Sequence, residues 1–485
     1  MWASYARACR AGLARARALA AALGAWPRDG TRFAVALFVL ALLPRLCVAI
    51  AWAREPVWDG HYYDYGAQRI AAGLGYSGAG GGHGIWHPWA HYPVGYSGLL
   101  GLAYHLFGHG QHVAPMLGAL VGGLLAVAVY GLARHATTEG RARLAGLLTA
   151  LQPGLVAYAA LVMTEPLGAL GPVAAAWAAA RARSTWRAGL SAGLLLGLGT
   201  LVRPQTILCA PAIGLVRLGR GGRRQACGAA ALCTAVALAV VAPWTARNCL
   251  VMDGCAFVST NAGWNLAIGS FPRATGRFET LRASDGCRVV TGQVQQDRCW
   301  LGAGLGWIAA EPRRWLGLVP RKLGETFDHE SFPVGYLAEA DPAAWPPAQR
   351  EQARRALTLA HRILLSLAPL GLMAWPRRGA RAWPLVGLAL LGALWAHAWT
   401  DPAQPFWPLA VAIPLLALLP ARGARQAGVL AFLAYSVATV CAVHAVFFGE
   451  DRYHVFVTPM LCLLAACALG ARRTCATAAT PAASA

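Results

Sequence analysis

The chain has 485 residues, 57% of them hydrophobic and 13% charged, with a mean hydropathy of +0.46. A soluble globular chain carries roughly a quarter charged residues, so these values exclude a disordered chain and argue against a soluble enzyme. The net charge of +22 would suggest nucleic acid on a soluble chain. Here the basic residues, all arginine except Lys322, cluster between long apolar runs, and the pattern is that of a polytopic membrane protein.

Residues 33–53 form the first apolar run, long enough to cross ~30 Å of hydrocarbon. Arg7, Arg10, Arg15, Arg17, Arg28 and Arg32 precede it, which places that end in the cytoplasm. The run is too long for the apolar part of a cleaved signal peptide and lacks a clean cleavage site. Residues 60–73 predict a short helix lying along the membrane, anchored by Tyr62, Tyr63, Tyr65 and Ile70. A glycine run and Pro88 predict a loop carrying His83, His87 and His91. Segment 94–107, at about 14 residues, is short for a span and reads as a second interfacial helix. Further spans fall at 113–133, 144–162, 166–182, 188–202, 205–219, 228–246, 357–375, 383–400, 403–420, 426–447 and 454–471. The expected fold is all-α, with about twelve transmembrane helices filling residues 33–471. A basic segment, 1–32, and a disordered tail, 472–485, lie in the cytoplasm. Two outer loops are long, at about 54–112 and 247–356.

Charge placement agrees with this topology. The inside segments hold 23 of the 42 basic residues but only two of the 20 acids, Asp29 and Glu139. Acids weigh little in topology, so their gathering outside points to chemistry at the outer face. Four cysteines fall in the second outer loop, and in an oxidising compartment an even set suggests disulfides. The shortest loops close if Cys249 pairs with Cys255 and Cys287 with Cys299.

Several residues can carry chemistry. Asp59 follows the first span beside aromatic residues, where partial desolvation suits a general base; it could equally start the helix at 60. Glu165, at the outer end of an apolar hairpin, is either a functional acid or a helix-initiating one beside Thr164 and Pro166. Arg54, Arg203, Arg247 and Arg452 lie at outer helix ends, with Asn248 beside Arg247. They either reach for lipid headgroups or converge on a phosphate. Lys322 lies late in the second loop. The 83/87/91 histidine spacing would align metal ligands on a helix, and in a loop it means little. No GxxxxGK[ST], HExxH, GxSxG or CxxC motif occurs, so no site for a soluble nucleotide donor is offered.

Taken in order, the motifs resemble the GT-C membrane glycosyltransferases that use polyprenyl-phosphate sugars. More narrowly, they resemble bacterial relatives of dolichyl-phosphate-mannose–protein mannosyltransferases and of lipid A aminoarabinose transferases. The matching pieces are LLPRL leading to Asp59, the run Tyr63–Ala67–Ile70–Gly73–Tyr76, HYPVGYSGLLGLAYHLFG and YAALVMTEPL. LVRP, PWTARN, STNAGWNLAIG, the Lys322 segment and Arg452-Tyr453 follow. Asp59-Gly60 stands where the family often has an acidic pair or Asp-Ser, and Glu165 where some relatives have Asp.

The resemblance implies an inverting sugar transfer from a polyprenyl-phosphate donor to a glycan, lipid or protein acceptor on the periplasmic face of a bacterial inner membrane. It implies Asp59 and Glu165 as the catalytic acids. Tyr63, Tyr96, Arg203, Arg247, Asn248, Lys322, Arg452 and Tyr453 would contact substrate. A divalent metal stays open as a cofactor, with Asp59, Glu165, His83, His87 and His91 as candidate ligands. The competing readings are a surface-polysaccharide ligase or polymerase and a transporter or flippase; no inverted repeat supports the last.

Overall fold

The computed structural model describes residues 29–80, 85–287, 292–373, 382–418 and 424–469. Helix α1 (Gly30–Ala51) starts where the Asp29 carboxylate accepts the N–H groups of Thr31 and Arg32, at 3.0 and 3.3 Å, an N-cap. It packs along α4 (Val113–Ala136).

The predicted span 144–162 is broken. Helix α5 (Glu139–Leu151) stops before Pro153, and a short α6 (Pro153–Ala157) and a 3₁₀ turn (158–160) follow. Proline cannot donate to the helix ladder and disfavours helical geometry in the residue before it. The break exposes the carbonyls of Thr149 and Ala150. Both accept from the guanidinium of Arg45, at 3.2 and 2.7 Å. The charge inside the first span is thus a cap supplied across helices to orphan carbonyls. Gly122 lies against this side chain, and a Cβ there would collide with it.

Helices α7 (Glu165–Arg181), α8 (Thr185–Val202) and α9 (Ile213–Val251) follow, the last interrupted at Gly222 with φ 73°. Gly189, Gly193 and Gly197 bring α8 against Leu232, Val236 and Val240 of α9, the close approach that small residues allow in membranes.

Both expected outer loops are folded. The first holds α2 (Asp59–Ala71) and α3 (Val94–Phe107). Between them, where a loop was expected, β1 (Ser77–Gly80) pairs antiparallel with β2 (Ile85–Pro88), Ser77 facing Pro88. Ile85 and Trp86 are residue types enriched in strands, a signal that outweighs the neighbouring glycines. The second holds α10 (Ala262–Ile268), α11 (Gln293–Ala310), α12 (Pro312–Gly317), α13 (Val319–Phe327) and α14 (Phe332–Ala340). It has an apolar core of its own, including Ile268, Phe271, Leu281, Trp300 and Phe448. Disulfides join Cys249 to Cys255 and Cys287 to Cys299.

The chain ends with α15 (Pro347–Met373), α16 (Ala382–Ala398), α17 (Trp407–Ala417), α18 (Ala424–Val446) and α19 (Thr458–Leu469). Among the described residues, five helices are long and apolar enough to cross a membrane, and four shorter apolar ones accompany them. The protein is a mostly helical, multi-pass membrane protein. The expected count of twelve exceeds these five because several apolar runs fold as short or broken helices.

Candidate active site

Asp59 is placed by a strained turn. Trp58 has φ 51°, a left-handed value that costs a bulky residue of the order of 1–3 kcal/mol. Its ring is held 5.6 Å from Phe332 and 5.8 Å from Tyr336, centroid to centroid. Gly60 has no room for a side chain, since a Cβ would fall on the Tyr336 hydroxyl. The chain leaving α1 is thereby turned so that Asp59 begins α2 with its carboxylate facing away from the helix amides. Oδ1 accepts the hydroxyl of Tyr92 at 2.9 Å, and Oδ2 pairs with Nη1 of Arg452 at 2.5 Å. Burial pushes this carboxyl up, but Arg452 and the Tyr92 bond outweigh it and hold it below its ordinary range. Asp59 is therefore ionised at neutral pH.

A second acid–arginine pair stands nearby. Glu165, in the first turn of α7, accepts from Arg203 at the end of α8 at 2.9 Å, and both side chains are largely buried. The two arginines flank Tyr453, their Cζ atoms lying 5.6 Å (Arg203) and 5.2 Å (Arg452) from its ring centre. Glu450 approaches the Nε of Arg452 to 2.5 Å. Burial pushes Glu450 up to about 7, against the pull of Arg452.

The two acid–arginine pairs and Tyr453 line one cavity of about 550 Å³, within the range of small-molecule sites. Asp59, Tyr63, His91, Tyr92, Glu165, Arg203, Arg452 and Tyr453 form its polar wall. Val202, Ile207, Leu208, Val443 and Phe447 add apolar lining, and the 247–356 segment adds Phe257, Asn261 and Trp264. Leu208 and Phe257 remain exposed. The lining thus holds polar groups that suit an anion together with apolar groups that suit a hydrocarbon chain.

The remaining residues singled out from the sequence lie elsewhere. Tyr96 is buried behind Tyr63, with ring centroids 5.4 Å apart. Arg247 donates to the carbonyls of Trp89 and Tyr76, at 2.7 and 2.8 Å, and ties the hairpin to α9. Asn248 is buried and donates to the Ala256 carbonyl. Lys322 is buried and donates to the carbonyls of Ala445 and Val446 at the end of α18. Burial and Arg314 push its ammonium down to about 8. Arg54 pairs with Asp341 at 2.7 Å. His87 is exposed on β2, and His83 lies outside the described residues. Tyr92, which bonds Asp59, and Glu450, which pairs with Arg452, carry no sequence signal beyond their place in HYPVGY and GEDRYHVF.

Among the described residues, the suggested ligands Asp59, Glu165 and His91 do not bring three ligand atoms within 4.8 Å of one another, and Arg203 and Arg452 supply positive charge there. Among the described residues, the three side chains whose potential ligand atoms converge within 4.8 Å are Glu330, His361 and His454.

Residues 91–246 match the family model of dolichyl-phosphate-mannose-protein mannosyltransferases, so the resemblance carried by the motifs holds over that stretch. No protein of curated function matches the chain. Among solved structures, the oligosaccharyltransferase AglB from Archaeoglobus fulgidus, in complex with an inhibitory peptide and a dolichol-phosphate, is 16% identical. That match has a TM-score of 0.42 and covers 92% of this chain and 50% of AglB. The apo form of the A. fulgidus oligosaccharyltransferase gives 15%, a TM-score of 0.46 and coverage of 91% and 50%. ArnT from Cupriavidus metallidurans, bound to undecaprenyl phosphate, gives 17%, 0.37, and coverage of 91% and 78%. The chain spans about half the length of the archaeal enzymes. The functional argument therefore rests on the family match and the cavity.

Proposed function

We propose that the protein is a membrane glycosyltransferase that moves a sugar from a polyprenyl-phosphate donor to an acceptor hydroxyl or amine, with inversion, at the periplasmic side of a bacterial inner membrane. The observation that carries this reading is one cavity whose lining joins paired acids and arginines with apolar side chains, Leu208 and Phe257 among them exposed. The apolar side chains would take the first prenyl units and the arginines the phosphate.

In the proposed reaction Asp59 accepts the proton of the acceptor as its oxygen or nitrogen bonds to the anomeric carbon. The bond from that carbon to the phosphate oxygen breaks, and the polyprenyl phosphate leaves with one more negative charge. Arg452 and Arg203, fixed before the reaction, stabilise that charge where it develops. Glu165 orients Arg203 and Tyr453 spaces the two guanidinium groups. A low carboxyl pKa weakens Asp59 as a base, which argues that it acts as the proton transfers rather than before.

The test is transfer from a panel of radiolabelled polyprenyl-phosphate sugars to a total membrane extract, comparing wild type with Asp59→Asn. Label moving to a glycan, lipid or protein fraction with wild type alone establishes the class and names donor and acceptor. No transfer from any donor by folded protein rejects it. Movement of a whole glycan would reassign the enzyme as a polysaccharide ligase or polymerase.

A further inference from the structure

Glu330, His361 and His454 meet outside the cavity, where α13, α15 and the 3₁₀ turn Asp451–Phe456 come together. All three are at most 1% exposed. Each imidazole is fixed by one nitrogen. His454 Nδ1 donates to the Thr326 carbonyl and His361 Nε2 to the Phe327 carbonyl, both at 2.9 Å. The bonds leave His454 Nε2 and His361 Nδ1 as the lone-pair nitrogens, and neither has a hydrogen-bond partner. The Glu330 carboxylate approaches them, Oε2 lying 4.0 Å from His454 Nε2. Gln152 donates to the same carboxylate at 3.2 Å.

We infer that these three side chains bind a divalent transition metal of the zinc class as a structural site. Two buried lone pairs without donors are costly, and a cation satisfies both at once. The outer arrangement is the one metal-binding histidines adopt, each ring donating its second N–H to a backbone carbonyl while the carboxylate takes a bond of its own. Two imidazoles and a carboxylate suit zinc and its neighbours over calcium or magnesium. Ligand atoms around tetrahedral zinc lie ~3.3 Å apart, from bond lengths of ~2.0–2.1 Å. The present separations, up to 4.8 Å, must shorten as the ion binds. A water completes the shell.

The site has a consequence for the cavity. His454 faces the metal from the same turn that presents Arg452 to Asp59 on its other side. Metal bound there fixes that turn to the C-terminal carbonyls of α13.

The test uses full-length, tag-free protein in nanodiscs, grown with zinc and washed with EDTA. Elemental analysis should give about one zinc per chain. Cobalt incorporated during growth should show the intense visible bands of a tetrahedral site. X-ray absorption should show two histidine nitrogens. Glu330→Gln, which keeps the Gln152 contact, and His361→Gln should each lose the metal. Folded wild type with no stoichiometric metal would overturn the proposal, leaving the three groups as a neutral hydrogen-bonded cluster. Metal retained undiminished in the folded Glu330→Gln, His361→Gln double variant would overturn it too. If the variants do not fold, the wild-type stoichiometry and ligand spectrum decide alone. Neither result bears on sugar transfer.

Discussion

Replacing Arg452 with glutamine should change the pH profile of the reaction in a direction fixed by the Asp59 environment. The pair is close, at 2.5 Å, and its side chains are only 13% and 22% exposed, so solvent screens it little. An arginine beside an aspartate lowers the carboxyl pKa by roughly 1–3 units. In wild type, Asp59 is held below the ordinary carboxylate range, so activity should stay flat on the acid side down to about pH 4. Without Arg452, burial is opposed only by Tyr92 and His91, and the carboxyl rises. The acidic limb of kcat/KM, which reports the free enzyme, should then move to higher pH. Activity is lost as pH falls through that value because the base becomes protonated. The assay is donor-limited transfer in nanodiscs across pH 4 to 8, with Tyr92→Phe as a companion that should give a smaller upward shift. Residual transfer by Arg452→Gln with no displaced acidic limb would refute the assignment of Asp59 as the base.

Other substitutions separate cavity from scaffold. Arg203→Lys loses the planar fork suited to phosphate and should raise donor KM at least tenfold, measured with a water-soluble acceptor analogue; an unchanged KM would remove Arg203 from donor binding. Lys322→Met leaves two helix-end carbonyls without their donor and should cost roughly 1–3 kcal/mol, seen as a lower Tm in detergent, with donor KM unchanged. Gly60→Ser forces a side chain onto Tyr336 and should cost roughly 1–3 kcal/mol by overpacking along with transfer activity. Adding Tyr336→Phe should recover part of both. Leu74 is 49% exposed beside α2. Leu74→Cys, in a background without the unpaired cysteines, should react with an impermeant maleimide in cells whose outer membrane alone is permeabilised. Labelling only after the inner membrane is opened would invert the proposed sidedness.

The sequence pointed to Asp59, Glu165, Arg203, Arg452 and Tyr453, and the fold brings all five to one cavity although Asp59 and Arg452 are 393 positions apart. Those residues were legible because acids and arginines at outer helix ends are few and the motifs order them. Other cations of the same kind went elsewhere. A helix end in a membrane protein offers orphan carbonyls, and a buried lysine or arginine satisfies these as readily as it binds phosphate. Lys322 does so at the end of α18, and Arg247 does so on the first-segment hairpin. Sequence spacing cannot tell a carbonyl from a phosphate. Arg45 shows the same ambiguity: its role depends on a break at Pro153, more than 100 positions away. The partner Tyr92 was hidden because only tertiary contact brings it to Asp59.

The glycine after Asp59 departs from the family pattern for a reason visible in the packing. Where relatives often carry a second side chain, this chain has the Tyr336 hydroxyl, which also accepts the Val57 N–H at 3.2 Å. A second acid at position 60 would crowd that hydroxyl, so the site keeps one carboxylate there and draws its compensating charges from farther away. The consequence is a closed electrostatic circuit. Before reaction, Asp59 and Arg452 neutralise each other in a poorly solvated cavity, where an isolated charge would be costly. In the proposed reaction, Asp59 loses its charge and its hold on Arg452 as it takes the acceptor's proton. At the same moment the leaving phosphate would gain the charge that Arg452 can then stabilise. The proposal thus couples proton transfer and bond cleavage through one guanidinium, whose five donors allow it to serve both groups without moving. Lysine at position 452 would keep the charge but not the fork, so Arg452→Lys should weaken transfer more than donor binding.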